Sequence, residues 1–214
     1  DEAFSEYMKA IACKWTNRTK ENFITFYNLG KLLADNEEYE KAEIFYRKAL
    51  SIKSDFAGIY NNLATLYEKK GDIEQANNYL KKSFNLYPYS PVTNLNLGLY
   101  YLKIKEPEKA LYHLNMSNAS DLLSKMLAYS GIAYKQMGRY GRAVMYFKEV
   151  VKNDPNNIMA YLHLSDIYLI KGSIPLARQY MDEALSLMLA EKGLFERTVN
   201  NLKKDELKNI NPCL

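Results

Sequence analysis

Apolar residues recur along this chain as helical stripes, arranged in pairs around short polar turns. Between residues 59 and 88 they follow the three- and four-residue spacing of an amphipathic helix on both sides of Gly71 and Asp72. This spacing puts the apolar side chains on one face of each helix, where a neighbouring helix can cover them. The segment therefore predicts two helices joined by a tight turn.

The same two-helix pattern returns at a nearly constant interval along the chain. A small residue precedes each turn at spacings of 34, 34, 33 and 34 residues: Gly30, Ala64, Gly98, Gly131 and Ser165. An alanine follows each turn at the same spacings: Ala42, Ala76, Ala110, Ala143 and Ala177. Because the two series share one single-residue deletion, chance does not explain them. Self-similarity at this period predicts an all-α solenoid of helical hairpins.

Two further series of bulky residues belong to the same repeat. An aromatic residue or leucine comes three positions after the small residue: Leu33, Tyr67, Tyr101, Tyr134 and Tyr168. A bulky apolar residue comes four positions after the alanine: Tyr46, Leu80, Leu114, Phe147 and Met181. Together these series resemble the motif of the tetratricopeptide repeat family, from Phe23 to about Glu191. The resemblance implies a right-handed superhelical solenoid that binds other proteins.

We divide the chain at the motif boundaries into five repeats with a segment on either side. The repeats are residues 23–56, 57–90, 91–123, 124–157 and 158–191, and the third is one residue short. Residues 1–22 are expected to be the second helix of a truncated repeat or an N-terminal cap, and residues 192–214 a C-terminal capping helix and tail. In the first turn Asn36 is expected to tolerate the left-handed backbone for which other repeats use glycine.

Composition and charge argue against several classes of partner. The chain has 29 basic and 25 acidic residues, a net charge of +4, and no basic stripe, so nucleic acid is not expected as a partner. No run of 18 apolar residues occurs, so no membrane insertion is expected in this segment. Cys13 and Cys213 lie near opposite ends and are not expected to pair. Without a targeting signal the compartment stays open between cytoplasm and periplasm.

The sequence contains no pattern of residues that points to catalysis. His113 and His163 fall in different repeats, and no histidine–cysteine cluster has the spacing of metal ligands. Neither a glycine-rich phosphate loop nor a nucleophile motif is present. We therefore expect no enzyme activity, no metal site and no cofactor.

The family resemblance implies a concave groove lined by the first helix of each repeat. The residue before the repeat leucine points into that groove: Asn28, Asn62, Asn96, Tyr129 and His163. The three asparagines resemble the asparagine ladder in the tetratricopeptide domain of O-linked N-acetylglucosamine transferase. An amide side chain offers both a donor and an acceptor, so it can hold a peptide backbone without reading its sequence.

Other groove positions indicate which partners the array would accept. Val92, Leu95 and Leu99 share one side of a first helix and predict an anchor site for an apolar side chain, and Leu102 continues this row. Lys31 is a further groove residue of the first repeat. Chaperone-binding members of the family use a two-carboxylate clamp, and among its positions only Asn62 matches here. Chaperone tails are therefore not expected as ligands.

These observations predict a scaffold that binds a peptide or partner protein in the groove. One alternative is that the chain forms the soluble regulatory or substrate-recognition region of a larger protein, for example a membrane-bound glycosyltransferase. Another is a self-assembly module that forms a homo-oligomer through an exposed N-terminal end.

Overall fold

The computed structural model describes the backbone of residues 19–209 and the side chains of residues 23–192. All regular elements in this range are helical, which confirms the prediction of an all-α helical repeat solenoid. The right-handed superhelix stays a prediction. The α-helices are α1 Thr19–Asp35, α2 Tyr39–Ile52, α3 Ala57–Lys69, α4 Ile73–Leu86, α5 Pro91–Lys103, α6 Pro107–Met116, α7 Leu123–Gln136, α8 Tyr140–Asn153, α9 Ile158–Ile170 and α10 Ile174–Asn209. A short 3₁₀ helix, Ser120–Leu122, precedes α7.

Consecutive helices pair as hairpins whose turns all contain one residue with positive φ. These residues are Glu37 (62°), Gly71 (83°), Lys105 (58°), Gly138 (68°) and Gly172 (74°). The expectation for Asn36 is therefore wrong by one position. The Asn36 N–H still bonds to the carbonyl of Leu32 in the last helical turn, so the chain reverses at the following residue.

Each hairpin is tight because a small residue faces a bulky one across the pair. A Cβ added to Gly30 would lie 2.6 Å from the ring of Tyr46, and one added to Gly98 would lie 2.7 Å from Leu114. Both distances are shorter than a carbon–carbon contact allows. Ala143 on α8 is fully buried, as a site of close helix approach requires. The small residues before the turns and the bulky residues after them thus face each other in the interior of the hairpins.

The chain divides into two compact units after Leu122, and the first holds three hairpins from α1 to α6. Its main core contains Leu29, Tyr46, Ile59 and Leu63, all nearly inaccessible to solvent. The side chain of Asp72 caps the start of α4 by accepting a hydrogen bond from the N–H of Gln75. The Ser90 hydroxyl does the same for α5 through the N–H of Thr93.

The second unit contains the hairpins α7–α8 and α9–α10. Phe147, Val150, Leu164 and Ile167 form its buried core. The sequence predicts a capping helix and tail for residues 192–214, and α10 runs without a break from Ile174 to Asn209. The predicted cap is thus an extension of the last repeat helix.

Several expectations lie outside the described residues. They include residues 1–18 of the predicted N-terminal segment, Cys13, Cys213, the tail after Asn209 and an assembly surface at the N-terminal end.

Candidate functional site

The three predicted ladder asparagines lie on the first helices of the three hairpins in the first unit. Asn28 on α1 is exposed, whereas Asn62 on α3 and Asn96 on α5 are half-buried. Asn96 lines a small crevice that also includes Thr65 and Lys103. The equivalence in sequence is thus accompanied by different surroundings, and the ladder stays a prediction.

Asn62 has the most distinctive environment of the three. Its amide lies beside the hydroxyl of Tyr46, whose pKa is raised by burial and lowered, to a smaller extent, by this amide. Among the described residues the buried Asn62 Nδ2 atom makes no hydrogen bond of normal geometry, and the Tyr46 hydroxyl is only a weak partner. A buried donor that is held only weakly costs free energy, which a ligand with a carbonyl group can recover.

Two cavities share Asn62 in their walls. The larger, about 650 Å³, is termed here the aromatic pocket, and its lining includes Tyr27, Phe56, Asn61, Asn62, Tyr87, Pro88, Tyr89, Ser90 and Val92. The smaller, about 190 Å³, is termed the lysine pocket, and its lining includes Lys31, Asp35, Tyr46, Asn62 and Lys69. Both cavities are formed within the first unit, and Asn62 contributes to the lining of each.

The other predicted residues of this unit divide between surface and interior. Lys31 is exposed and Val92 is 48% exposed, so each offers accessible surface in one of the two pockets. Leu99 is half-buried. Leu95 is only 6% exposed and Leu102 only 4%, so the row of leucines on α5 mainly packs inside the protein. An anchor site built on all four apolar residues does not fit this burial.

The second unit contains two of the predicted groove residues, one on each of its first helices. Tyr129 on α7 is half-buried. The ring of His163 on α9 stacks on Phe147 with 4.7 Å between ring centroids. Burial lowers the pKa of His163, Lys135 lowers it further and Asp166 opposes the shift. Lys135 also forms an ion pair with Asp166, so His163 is part of a packed cluster.

Beneath the aromatic pocket lies a buried chain of polar side chains, which the sequence analysis did not find. The Asn61 Nδ2 atom donates to the Thr93 hydroxyl at 2.9 Å. Thr93 lies 3.0 Å from the hydroxyl of Ser83, which donates to the carbonyl of Ala57 at 3.2 Å. Asn61, Ser83 and Thr93 are almost completely buried, so these bonds join α3, α4 and α5 out of contact with water.

A second buried polar pair fixes the loop between α4 and α5. The Asn94 Nδ2 atom donates to the carbonyls of Pro88 and Ser90 at 2.7 and 3.0 Å. Its Oδ1 atom therefore accepts from His113 Nδ1 at 2.9 Å. Burial lowers the pKa of His113, which favours the neutral ring in the fold. The loop at the rim of the aromatic pocket is thus held from below.

These residues can be recognised in the sequence when the five repeats are aligned, so that each column holds the equivalent position of every repeat. Asn61 occupies a column that elsewhere holds Tyr27, Leu95, Ala128 and Leu162. The column of Asn94 elsewhere holds Phe26, Tyr60, Leu127 and Tyr161, and the column of His113 holds Phe45, Tyr79, Tyr146 and Tyr180. Polar residues in otherwise apolar columns mark the junction between the second and third repeats as unusual.

The described part of the chain contains neither a candidate metal site nor a candidate membrane span. There, no group of three or more histidine, cysteine, aspartate or glutamate side chains could hold a metal ion. Over the same residues, no helix has the length and hydropathy needed to cross a membrane.

Comparison with known proteins gives relatives of several kinds. "Antiviral innate immune response effector IFIT1" of Macaca fascicularis is 24% identical to this chain and aligns with 81% of it and 33% of its own length. Human "Protein O-mannosyl-transferase TMTC1" is also 24% identical, over 86% of this chain and 25% of its own length. The chain spans about a third of the length of the first curated relatives it matches.

Solved structures and family models agree on the repeat type. The structure of YrrB, described as a TPR protein with an unusual peptide-binding site, matches with a TM-score of 0.64 and 24% identity. The match covers 85% of this chain and 91% of YrrB, and at this identity it shows the fold alone. Two family models described as tetratricopeptide repeat match residues 21–89 and 130–191, together more than half of the chain. The chain therefore belongs to the tetratricopeptide repeat family, and its helical repeats are a scaffold for protein–protein interaction.

Proposed function

We propose that this scaffold binds an extended peptide segment of a partner protein across α1, α3 and α5. The observation that carries the proposal is the position of Asn62, which lines both the aromatic and the lysine pocket and whose Nδ2 atom makes no hydrogen bond of normal geometry. A peptide carbonyl above Asn62 would satisfy this donor, and neighbouring side chains of the peptide would enter the two pockets. Neither step requires a catalytic group, a metal or a cofactor.

The two pockets would give the peptide a direction. The lining of the aromatic pocket includes no acidic, lysine, arginine or histidine side chain among the described residues, so an uncharged residue fits there. The lysine pocket contains Lys31 and Lys69 against Asp35, an excess of one positive charge. An acidic residue or a terminal carboxylate therefore fits the second pocket.

The experiment compares the unchanged chain with the double variant Asn62→Ala, Asn96→Ala. Partners retained by the immobilised parent chain are identified first, and the binding segment is then made as a synthetic peptide for calorimetry. Leaving a peptide group unpaired costs about 1–3 kcal/mol per site, so the double variant should bind about thirtyfold more weakly or worse. Its melting temperature should stay near that of the parent, since Asn62 Nδ2 makes no hydrogen bond of normal geometry in the free protein.

A matched control changes two exposed asparagines of α4, Asn78→Ala and Asn85→Ala, which lie on a second helix. This control should bind like the parent. Val92→Asp should also weaken binding, because it puts a charge on an exposed apolar residue of the aromatic pocket lining. Unchanged affinity of the double asparagine variant would contradict the proposal.

A second candidate is that the chain serves as the substrate-recognition region of a larger glycosyltransferase. The likeness to human "Protein O-mannosyl-transferase TMTC1", of which the chain covers 25%, favours this candidate. The complete reading frame around this sequence tests it. A membrane-spanning catalytic region beside the repeats would support it, and a reading frame without one would exclude it.

A further inference from the structure

Rings bound the aromatic pocket on several sides, and its lining also includes Asn61 and Asn62, each of which has a buried polar atom. Tyr27 of α1, Phe56 before α3, and Tyr87 and Tyr89 before α5 all belong to its lining. Tyr89 is 83% exposed and Tyr87 is 58% exposed, so the rim presents two rings to solvent. Aromatic faces of this kind favour another flat, apolar side chain.

Of the two asparagines, Asn61 has an amide whose orientation follows from the number of hydroxyl hydrogens available on its neighbours. With Nδ2 donating to Thr93, the Thr93 hydroxyl can donate to Ser83, and Ser83 donates to the carbonyl of Ala57. The reverse amide orientation would use the Thr93 hydrogen on Asn61, and one of the remaining two contacts would lack a hydrogen. The atom left over in Asn61 is therefore the acceptor Oδ1.

This acceptor has no partner within the described structure. Asn61 is 6% exposed, its Oδ1 atom is inaccessible to solvent, and the residue lines the aromatic pocket. A buried carbonyl oxygen without a donor costs about 1–3 kcal/mol. Because Oδ1 is closed to solvent, a ligand donor reaches it only when a neighbouring part of the lining shifts. A donor that does so recovers this free energy, whereas an apolar ligand of the same shape does not.

The loop in the pocket wall is also held in place. Asn94 holds the carbonyls of Pro88 and Ser90, so the loop that carries Tyr87 and Tyr89 is tied to the helix beneath it. Ser90 also caps α5. A wall fixed in the free protein reduces the entropy lost when a ligand binds.

We propose that the aromatic pocket binds an uncharged aromatic side chain that carries a hydrogen-bond donor, namely a tryptophan or tyrosine of the partner segment. Its ring lies among Tyr27, Phe56 and Tyr89, and its N–H or O–H donates to Asn61 Oδ1. The inference rests on the proposed function, because the side chain belongs to the peptide held across α1, α3 and α5.

The test uses the full chain and blocked single amino acids, so it needs no identified partner. N-acetyl-tryptophanamide is titrated and followed by NMR, with its 1-methyl analogue as the matched probe that lacks the ring donor. The parent probe should shift the amide signals of Ala57, Gly58 and Tyr89. The methylated probe should bind about tenfold more weakly or worse, the loss expected for one unpaired buried acceptor.

Two further probes and three variants decide what the pocket selects. N-acetyl-tyrosinamide should bind, whereas N-acetyl-leucinamide should bind about tenfold more weakly than either aromatic donor. Tyr89→Ala removes an exposed rim ring and should weaken the tryptophan probe, while Tyr112→Ala, at a 60% exposed tyrosine of α6 outside the pocket lining, should not. Asn61→Leu should abolish the difference between the tryptophan probe and its methylated form.

Equal affinity for the methylated and unmethylated probes, or for leucine and tryptophan, would overturn the inference. So would the absence of shifts at Ala57 and Gly58. These results leave the proposed function standing if the identified peptide still loses affinity with Asn62→Ala and Asn96→Ala. Conversely, the proposed function could fail while the pocket still binds the tryptophan probe selectively, and this result would contradict peptide binding by the wider groove only.

Discussion

Five left-handed residues form the hairpin turns of the described chain, and two of them, Glu37 and Lys105, are not glycine. Their φ angles are 62° and 58°, in a region where a Cβ atom crowds the following carbonyl. Both turns nevertheless close with the same bond pattern as the glycine turns. The N–H of Glu106 reaches the carbonyl of Tyr101 at 2.9 Å, as that of Asp72 reaches Tyr67 at 2.9 Å. Backbone bonding thus maintains a conformation that the side chain opposes.

Replacing Lys105 by glycine should therefore stabilise the protein. The relief of left-handed strain is about 1–2 kcal/mol, and the greater freedom of glycine in the unfolded chain offsets about 0.5–1 kcal/mol of it. We expect Lys105→Gly to raise the free energy of unfolding by up to about 1 kcal/mol, measured by urea denaturation with circular dichroism.

The mirror change Gly138→Lys is the matched control, because Gly138 occupies the same turn position in the fourth repeat with φ of 68°. It should lower the free energy of unfolding by a similar amount. If both changes act in the same direction, left-handed strain does not determine the stability of these turns.

At the scale of elements, a charged cluster joins the first and second hairpins on α2 and α3. The carboxylate of Glu43 accepts from the Tyr67 hydroxyl at 2.7 Å and from Arg47 Nε at 2.9 Å, and Lys70 Nζ lies 3.4 Å away. The Glu43 side chain is only 16% exposed. Burial raises its pKa, but the bonds from Tyr67 and Arg47 outweigh burial, so the pKa is lowered overall.

This cluster predicts an acid-sensitive contribution to stability. A carboxyl with a lowered pKa stabilises the fold above its ordinary pKa of 4.5, and the effect is lost as the pH falls through the lowered value. Glu43→Gln should cost about 1.5–3 kcal/mol at pH 7, the range for hydrogen bonds to a charged group, and less below pH 4.5.

The measurement is urea unfolding of parent and variant between pH 7 and pH 3. Glu149→Gln is the control, since the Glu149–Lys152 pair lies on the surface within one helix, with side chains 46% and 74% exposed. Exposed pairs contribute little, so this change should have almost no effect at any pH. A Glu43→Gln effect that does not depend on pH would show that charge is not responsible.

The helices and their packing could be predicted because each repeat restates the same constraint. Gly30 opposite Tyr46 and Gly98 opposite Leu114 recur as two sequence columns with one spacing. The aromatic pocket could not be predicted in this way. It depends on Asn61, a departure from its column, and on which amide atom Thr93 leaves unpaired. A periodic pattern predicts the residues that recur in every repeat, whereas this site depends on Asn61, which has no equivalent asparagine in the other repeats.

At the scale of the whole molecule, the two compact units differ in the number of hairpins they contain. The first has three, and the second has two together with the extension of α10. In a repeat array each hairpin buries its faces only against its neighbours, and about three are needed for a stable fold. We therefore expect the stability of the second unit to depend on structure beyond its two hairpins.

Truncation tests whether the α10 extension supplies that structure. The apolar residues Phe195, Val199 and Leu202 follow Gly193 at helical spacing, so the sequence predicts that this segment covers the end of the array. A chain ending at Lys192 should then unfold at a lower urea concentration than the full chain, in a transition that the first three hairpins do not share. Probes attached in α8 and in α3 would separate the two transitions. A chain ending at Asn209 is the matched control and should unfold like the parent, because it keeps the whole of α10. If removal of residues 193–214 leaves the α8 transition unchanged, the last two hairpins are stable alone and the extension has another role.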